Sequence, residues 1–216
     1  MVGSLTTSSN EPLVTFPNTG ATERGGIKAE MACSARVVVQ AQLVETERGL
    51  VPEGGGWFVL NAREAQWWKR SGLGTVCDFE GELRFQQLGI NLTLLEPGEP
   101  MTMYHWEADQ EDFLMLSGEA LLVIGGEEQT IRQWDFVHCP PGTNHAIIGA
   151  GTAPCLVLAV GARHRSKEQE WGAYTVDETA LRHGAGVQRE TTEGSEAYAR
   201  FPPYKLTRYR DGWLPD

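Results

Sequence analysis

Hydrophobic and polar positions divide this chain into three regimes. Up to about residue 35, polar residues dominate and no apolar period appears. Gly3-Ser4-Leu5-Thr6-Thr7-Ser8-Ser9-Asn10 and Thr19-Gly20-Ala21-Thr22-Glu23-Arg24-Gly25-Gly26 are typical of it. Such segments cannot bury enough surface to offset the entropy of ordering them, so an arm with little structure is expected. Arg36-Val37-Val38-Val39-Gln40 has the composition of a short strand. Continuous order is expected from about Gly56, first as a strand at Trp57-Phe58-Val59-Leu60. A short helix should follow: Asn61 can cap it, Glu64 three residues later completes a capping box, and Gly72 can end it. Trp67 and Trp68 within it read as packing residues.

Between Leu83 and Val160 the pattern becomes a series of short strands, expected over 83–87, 89–95, 101–107, 113–117, 119–124, 129–133, 135–139, 144–149 and 154–160. Turn signals separate them, among them Glu96-Pro97-Gly98, Ser117-Gly118, Gly125-Gly126 and Pro140-Pro141-Gly142. Close, regular spacing predicts an all-β sandwich or barrel. No long amphipathic helix intervenes, which argues against a parallel α/β sheet. Beyond about Arg165 the chain turns polar again, with a short helix expected over 177–183, capped by Asp177 and stopped by Gly184. From Phe201 to Pro215, aromatics and prolines recur. Apolar anchors of that kind suggest an arm docked on the barrel or on a second subunit. The expected division is an N-terminal arm over 1–50, a β-barrel over 51–165 and a C-terminal extension over 166–216.

Charge and cysteine content narrow the function. The 216 residues carry a formal net charge of -11, which repels nucleic acid and anionic lipid, so neither is an expected partner. Cys33, Cys77, Cys139 and Cys155 form no CxxC pair and imply neither a zinc knuckle nor a disulfide framework. They read as small buried hydrophobes. No apolar run approaches the roughly 18 residues of a membrane span. The N-terminus lacks a basic start followed by an apolar core, so a cytoplasmic location is the default expectation.

The candidate chemistry lies between Gly98 and Gly149. In a strand, His105 and Glu107 share one face and Trp106 takes the other. Met101 and Met103 would share the face of His105. Glu111 follows a short loop, where it can reach back to an adjacent strand. Pro140-Pro141-Gly142 reverses the chain and launches His145 on a new strand. Two imidazoles and one or two carboxylates could converge inside a barrel. Such a set leaves coordination positions open, which suits catalysis better than a closed structural site. His138 reads as packed behind the site. His164 and His183 read as surface residues, and Asp109 and Asp112 as parts of a solvated loop. No nucleophile elbow supports a Ser-His-Asp triad, and Gly54-Gly55-Gly56 lacks the lysine of a phosphate loop.

These two stretches resemble the paired motifs of the cupin superfamily. Gly98, His105, Glu111 and Gly118 follow the order of the first motif; Pro140, Gly142 and His145 follow the second. Glu107 replaces the second His of the first motif. Trp134 stands where a Gly would open the second, and Gly149 stands where its Asn would be. The resemblance implies a single small jelly-roll barrel holding a divalent metal: Fe, Mn, Ni, Co, Cu or Zn. Its members include dioxygenases, decarboxylases, sugar isomerases and epimerases, and non-catalytic binding modules, so the fold does not set the reaction. The leading expectation is oxygenation of a small organic substrate with Fe(II) on His105, Glu111 and His145. Ligation by Glu107 as well would favour a harder ion such as Mn(II). A second expectation is a non-redox isomerase or decarboxylase acting on a sugar or keto acid, with Glu107 as general base. A third is a non-catalytic small-ligand binder. The resemblance also implies a homodimer, since pairing covers exposed strand edges.

Overall fold

The structure, a computed structural model, describes residues 38–164 and 169–215. The arm before residue 38, with Cys33, lies outside the described residues. The strands in chain order are β1 (Gln42–Thr46), β2 (Gly49–Glu53), β3 (Gln66–Lys69), β4 (Thr75–Cys77), β5 (Leu88–Leu95), β6 (His105–Glu107), β7 (Glu111–Ser117), β8 (Glu119–Ile124), β9 (Glu127–Arg132), β10 (Phe136–Cys139), β11 (His145–Gly149), β12 (Cys155–Ala162) and β13 (Gly172–Tyr174). Two short helices follow, α1 (Glu178–Arg182) and α2 (Gly194–Ala197), and β14 (Lys205–Arg208) comes last. None of the described helices is long and apolar enough to cross a membrane.

The fold is a jelly roll. One sheet runs β10-β7-β12-β5-β4-β3-β14, the other β13-β6-β11-β8-β9, and β1-β2 form a separate hairpin. The alternation read from sequence explains the interior. Phe113 and Met115 of β7, Ala120 and Leu122 of β8, Ile147 of β11, and Val157 and Ala159 of β12 form one buried cluster. At roughly 25 cal/mol per Å² of apolar area, burial of such residues is the main drive to close the two sheets on each other. The β7–β8 turn needs Gly118, at φ 74, because a Cβ there would lie 2.7 Å from the Cβ of Cys155.

Several expectations are corrected. No helix forms over 61–72. Asn61 does receive the amide of Arg63 on its side chain, and its carbonyl accepts from Glu64 and Ala65. That single turn then gives way to β3, which pairs with β4 and β14. Ala65 and Trp67, two apart, are both buried, so sheet periodicity outweighs the local helix signal. The segment 57–60 makes only the isolated bridge of Trp57 to Gln40. No strand forms over 83–87. Strands begin at Gln42, well ahead of Gly56. The 101–107 run is extended only over His105–Glu107. Met101 therefore joins the barrel interior while Met103 joins a separate cluster with Tyr174, and the two do not share a face.

Helix α1 forms where expected, with Asp177 Oδ1 accepting from the Ala180 amide at 2.8 Å. Past α2, Tyr209 and Trp213 pack around the fully buried Trp67, their rings 6.4 and 5.3 Å from it. Cys77, Cys139 and Cys155 are free and buried, and burial pushes their thiols up to about 12, 12 and 11.

An ion-pair cluster around the buried Glu80 ties the end of β12 to the loop after β4. The Glu80 side chain, 2% exposed, accepts from Arg163 at 2.7 Å, from Arg84 at 2.6 Å and from the Phe85 amide at 2.6 Å. Burial alone would push this carboxyl up, but Arg163, the Phe85 amide and Arg84 outweigh it and hold it below the ordinary value. Its contribution to stability is therefore complete above the carboxylate range and is lost as pH falls through the lowered folded value. Glu80→Gln should cost about 2 kcal/mol at pH 7, the scale of hydrogen bonds to charged groups. Urea unfolding at pH 7 and pH 3 checks this, and the gap between variant and parent should shrink at the lower pH.

Candidate metal centre

Strands β6 and β11 run antiparallel with His105 directly opposite His145, their ring centroids 4.9 Å apart. Glu111 opens β7 in the other sheet, so the three side chains meet across the barrel. Each imidazole is fixed in the same way. His105 Nδ1 lies 2.8 Å from the Met103 carbonyl and His145 Nδ1 lies 3.0 Å from the Thr143 carbonyl. A carbonyl can only accept, so each Nδ1 carries the proton and each Nε2 offers its lone pair inward.

The two Nε2 atoms converge on one carboxylate oxygen. Glu111 Oε2 is 3.6 Å from His105 Nε2 and 3.5 Å from His145 Nε2. One ligand atom from each of the three residues falls within a 4.8 Å group. Metal bonds of about 2.0–2.2 Å at near-tetrahedral or octahedral angles place neighbouring ligands about 3.0–3.5 Å apart, so the set fits a single ion. His145 Nε2 is buried and has no hydrogen-bond partner. Leaving such an atom without a partner costs on the order of 1–3 kcal/mol, which a cation at this point would remove.

The electrostatics agree. Burial alone would push His105 down, but the hydrogen bond and charge of Glu111, with the charge of Glu107, lift it above the ordinary value. His145 is held down by burial and by the nearby His105, and so keeps its lone pair.

Glu107 faces the same space from the rim. Its side chain is 25% exposed and its Oε1 lies 3.8 Å from His105 Nε2, outside the three-residue group. Its cross-strand neighbour on β13 is Gly172, where a Cβ would overlap the Trp106 carbonyl oxygen. The glycine thus lets β13 pack close against the backbone of β6 beside Glu107.

The structure also revises the residues around the site. His138 is half exposed and paired to Asp112 at 2.6 Å, not packed behind the site. Asp109 is buried and accepts from the His164 amide, not solvated. His164 is exposed, and His183 pairs with Glu128 at 2.9 Å near the surface.

Sequence reasoning missed what the C-terminal extension contributes. Tyr174 on β13 stands opposite His105, its ring 5.9 Å from the imidazole, and Trp171 lies 6.2 Å from the same ring. Tyr198, just after α2, accepts from the Met103 amide at 3.3 Å and is hydrogen-bonded to Tyr174. The Met103 peptide is thus gripped at both ends: its N–H by Tyr198, its carbonyl by His105. No motif marks Tyr198; only the aromatic content of the tail hinted at docking. Tyr198→Phe should cost about 1–3 kcal/mol of stability by leaving the buried Met103 amide without an acceptor. Urea unfolding checks this.

Comparison with known proteins agrees with this geometry. Residues 91–161 match the family model described as a cupin domain. His105, Glu107, Glu111 and His145 all fall within this match, as do strands β6 to β11. No curated protein matches the chain. Among solved structures, a putative sugar phosphate isomerase from Acidithiobacillus ferrooxidans is 30% identical, over 43% of this chain and 56% of that one, with a TM-score of 0.36. The chain thus spans just over half of that relative. A predicted oxalate decarboxylase from Thermotoga maritima is 19% identical over 49% and 98% of the two chains, TM-score 0.44. The polyketide cyclase RemF from Streptomyces resistomycificus is 16% identical over 44% and 68%, TM-score 0.39.

Proposed function

We propose that this protein binds one divalent metal ion through His105 Nε2, His145 Nε2 and Glu111, and that it is a metal-dependent enzyme acting on a small organic molecule, with dioxygenase-type chemistry favoured. The observation that carries the reading is the pair of Nε2 atoms, one buried without a hydrogen bond, aimed at a single carboxylate oxygen. With Glu107 outside that group, the donor set is two His and one carboxylate, the arrangement found in non-haem Fe(II) oxygenases. A bound Fe(II) would supply open positions where an organic substrate and dioxygen are held side by side. The chain's own residues do the rest. Met103 and Thr143 orient the imidazoles, Phe113 and Trp171 exclude water, and the partly exposed Glu107 accepts a proton from the arriving substrate.

A second reading rests on Glu107. A carboxylate beside the ligands but outside them suits a redox-neutral proton transfer, as in an isomerase or decarboxylase, with the ion as Lewis acid.

Two variants separate these roles. His145→Ala should lose stoichiometric metal, read by elemental analysis of protein loaded in turn with Fe(II), Mn(II), Co(II), Ni(II) and Zn(II). Glu107→Gln should keep the metal. Oxygen consumption under Fe(II) with a panel of small organic acids and phenols supports the dioxygenase reading, whereas turnover without oxygen supports the second. His145→Ala protein that holds its ion as tightly as the parent would overturn the metal site.

A further inference from the structure

A second cavity, of about 320 Å³, opens at the far edge of the seven-stranded sheet, where β14 pairs with β3. Its polar lining is Lys69, Lys205 and Arg210 with the hydroxyl residues Ser71 and Thr207, and no carboxylate lines it. Lys205 stands directly opposite Lys69 in the antiparallel register. Like charges directly opposite each other on paired strands destabilise a sheet. This one occurs in a chain with 29 acidic against 18 basic residues, where a carboxylate opposite either lysine would be the ordinary arrangement. Glu99, on the turn after β5, has a carboxyl that feels the charge of Lys69 but lies outside the lining. Arg210 lays its guanidinium 5.8 Å from the ring of Trp213, which steadies a flexible side chain without using up its hydrogen-bond donors.

We infer that this cavity binds a phosphate dianion, in a site separate from the proposed metal centre. Two ammonium groups, a guanidinium and the Ser71 hydroxyl offer the donors that phosphate oxygens accept, while the Thr207 hydroxyl already donates to the Arg208 carbonyl. The anion would turn the Lys69–Lys205 repulsion into a shared attraction. The cavity is of the size of a small-molecule site rather than of one bare ion. Pro202, Pro203 and Leu206 supply an apolar wall for an organic portion. The phosphate can come from inorganic phosphate or from a phosphomonoester of a small metabolite, and the two share the same recognition chemistry.

The test uses the full chain in low-salt chloride buffer at pH 7.5. Calorimetric titrations with inorganic phosphate, glucose 6-phosphate and glucose are compared between the parent and Lys205→Glu. Saturable binding of phosphate or of the ester is expected, none of glucose, and at least a ten-fold loss in the variant. An ester that binds at least ten-fold tighter than inorganic phosphate assigns the site to phosphomonoesters; equal affinities assign it to the free ion. Without phosphate, Lys205→Glu should unfold at a higher temperature than the parent, because the repulsion is gone. It should also lose the rise in midpoint that phosphate gives the parent. Absence of saturable binding to the parent, or binding that Lys205→Glu leaves unchanged, overturns the inference. Metal content should be the same in both proteins, so failure here is distinguishable from failure of the metal reading.

Discussion

The structure depends on one constraint: two imidazoles from one sheet and a carboxylate from the other must point at the same place. Each His is turned by the carbonyl two residues before it, Met103 for His105 and Thr143 for His145, so backbone geometry fixes which nitrogen faces inward. Glu111 brings the charge from β7. Closing the barrel around these groups buries a carboxylate and two ring nitrogens together. That arrangement is costly by itself and becomes favourable when a cation is shared among them. The apolar cluster below, from Leu95 to Ala159, provides the driving force that closes the sheets over the polar end.

The site was more legible in the sequence than the fold around it. His105 and Glu107 at spacing two, and His145 launched by Pro140-Pro141-Gly142, are local features that survive folding unchanged. Strands buried on one face were equally readable: β8 lies at the bounds its alternation predicts. The segment 61–72 misled because Asn61 and Glu64 carry a real local signal, and it does make one turn. Propensity is worth a few tenths of a kcal/mol per residue, whereas burying Trp67 against Tyr209 and Trp213 is worth several times that. β13 and β14, three and four residues long, lie in polar surroundings; only their long-range partners make them strands. Asp109 is buried because burial in a loop follows tertiary contact, which no periodicity encodes, whereas His138 takes the exposed face of β10, in alternation with Val137 and Cys139.

Trp134 shows how a departure from the motif can be tolerated. It stands where the motif that this stretch resembles has a glycine, and its backbone is left-handed, φ 74, while the residue is 68% exposed. A left-handed backbone costs a residue with a side chain roughly 1–2 kcal/mol. Two hydrogen bonds to β7 hold the turn in place: the Trp134 amide donates to the Met115 carbonyl at 2.8 Å, and the Met115 amide donates to the Asp135 carbonyl at 3.1 Å. Asp135 closes the same turn by accepting from the Arg132 amide at 2.9 Å. The turn aims β10 along β7, and β10 in turn covers the interior with Val137 and Cys139. The register of β7, and with it the placement of Glu111, therefore fixes the backbone at 134 whichever residue stands there.

The C-terminal extension makes the site more than a barrel with a motif. Tyr198 fastens the Met103 backbone, the Met103 carbonyl orients His105, and Gly172 lets β13 pack close against β6 beside Glu107. The extension thus acts on the orientation of His105 and on the surroundings of Glu107 from outside residues 91–161. A barrel cut back to the cupin segment alone would keep His105, Glu111 and His145 and lose what sets their precision. The geometry of the candidate site therefore depends on residues 171–201, where the chain departs from the motifs, as much as on the motif residues themselves.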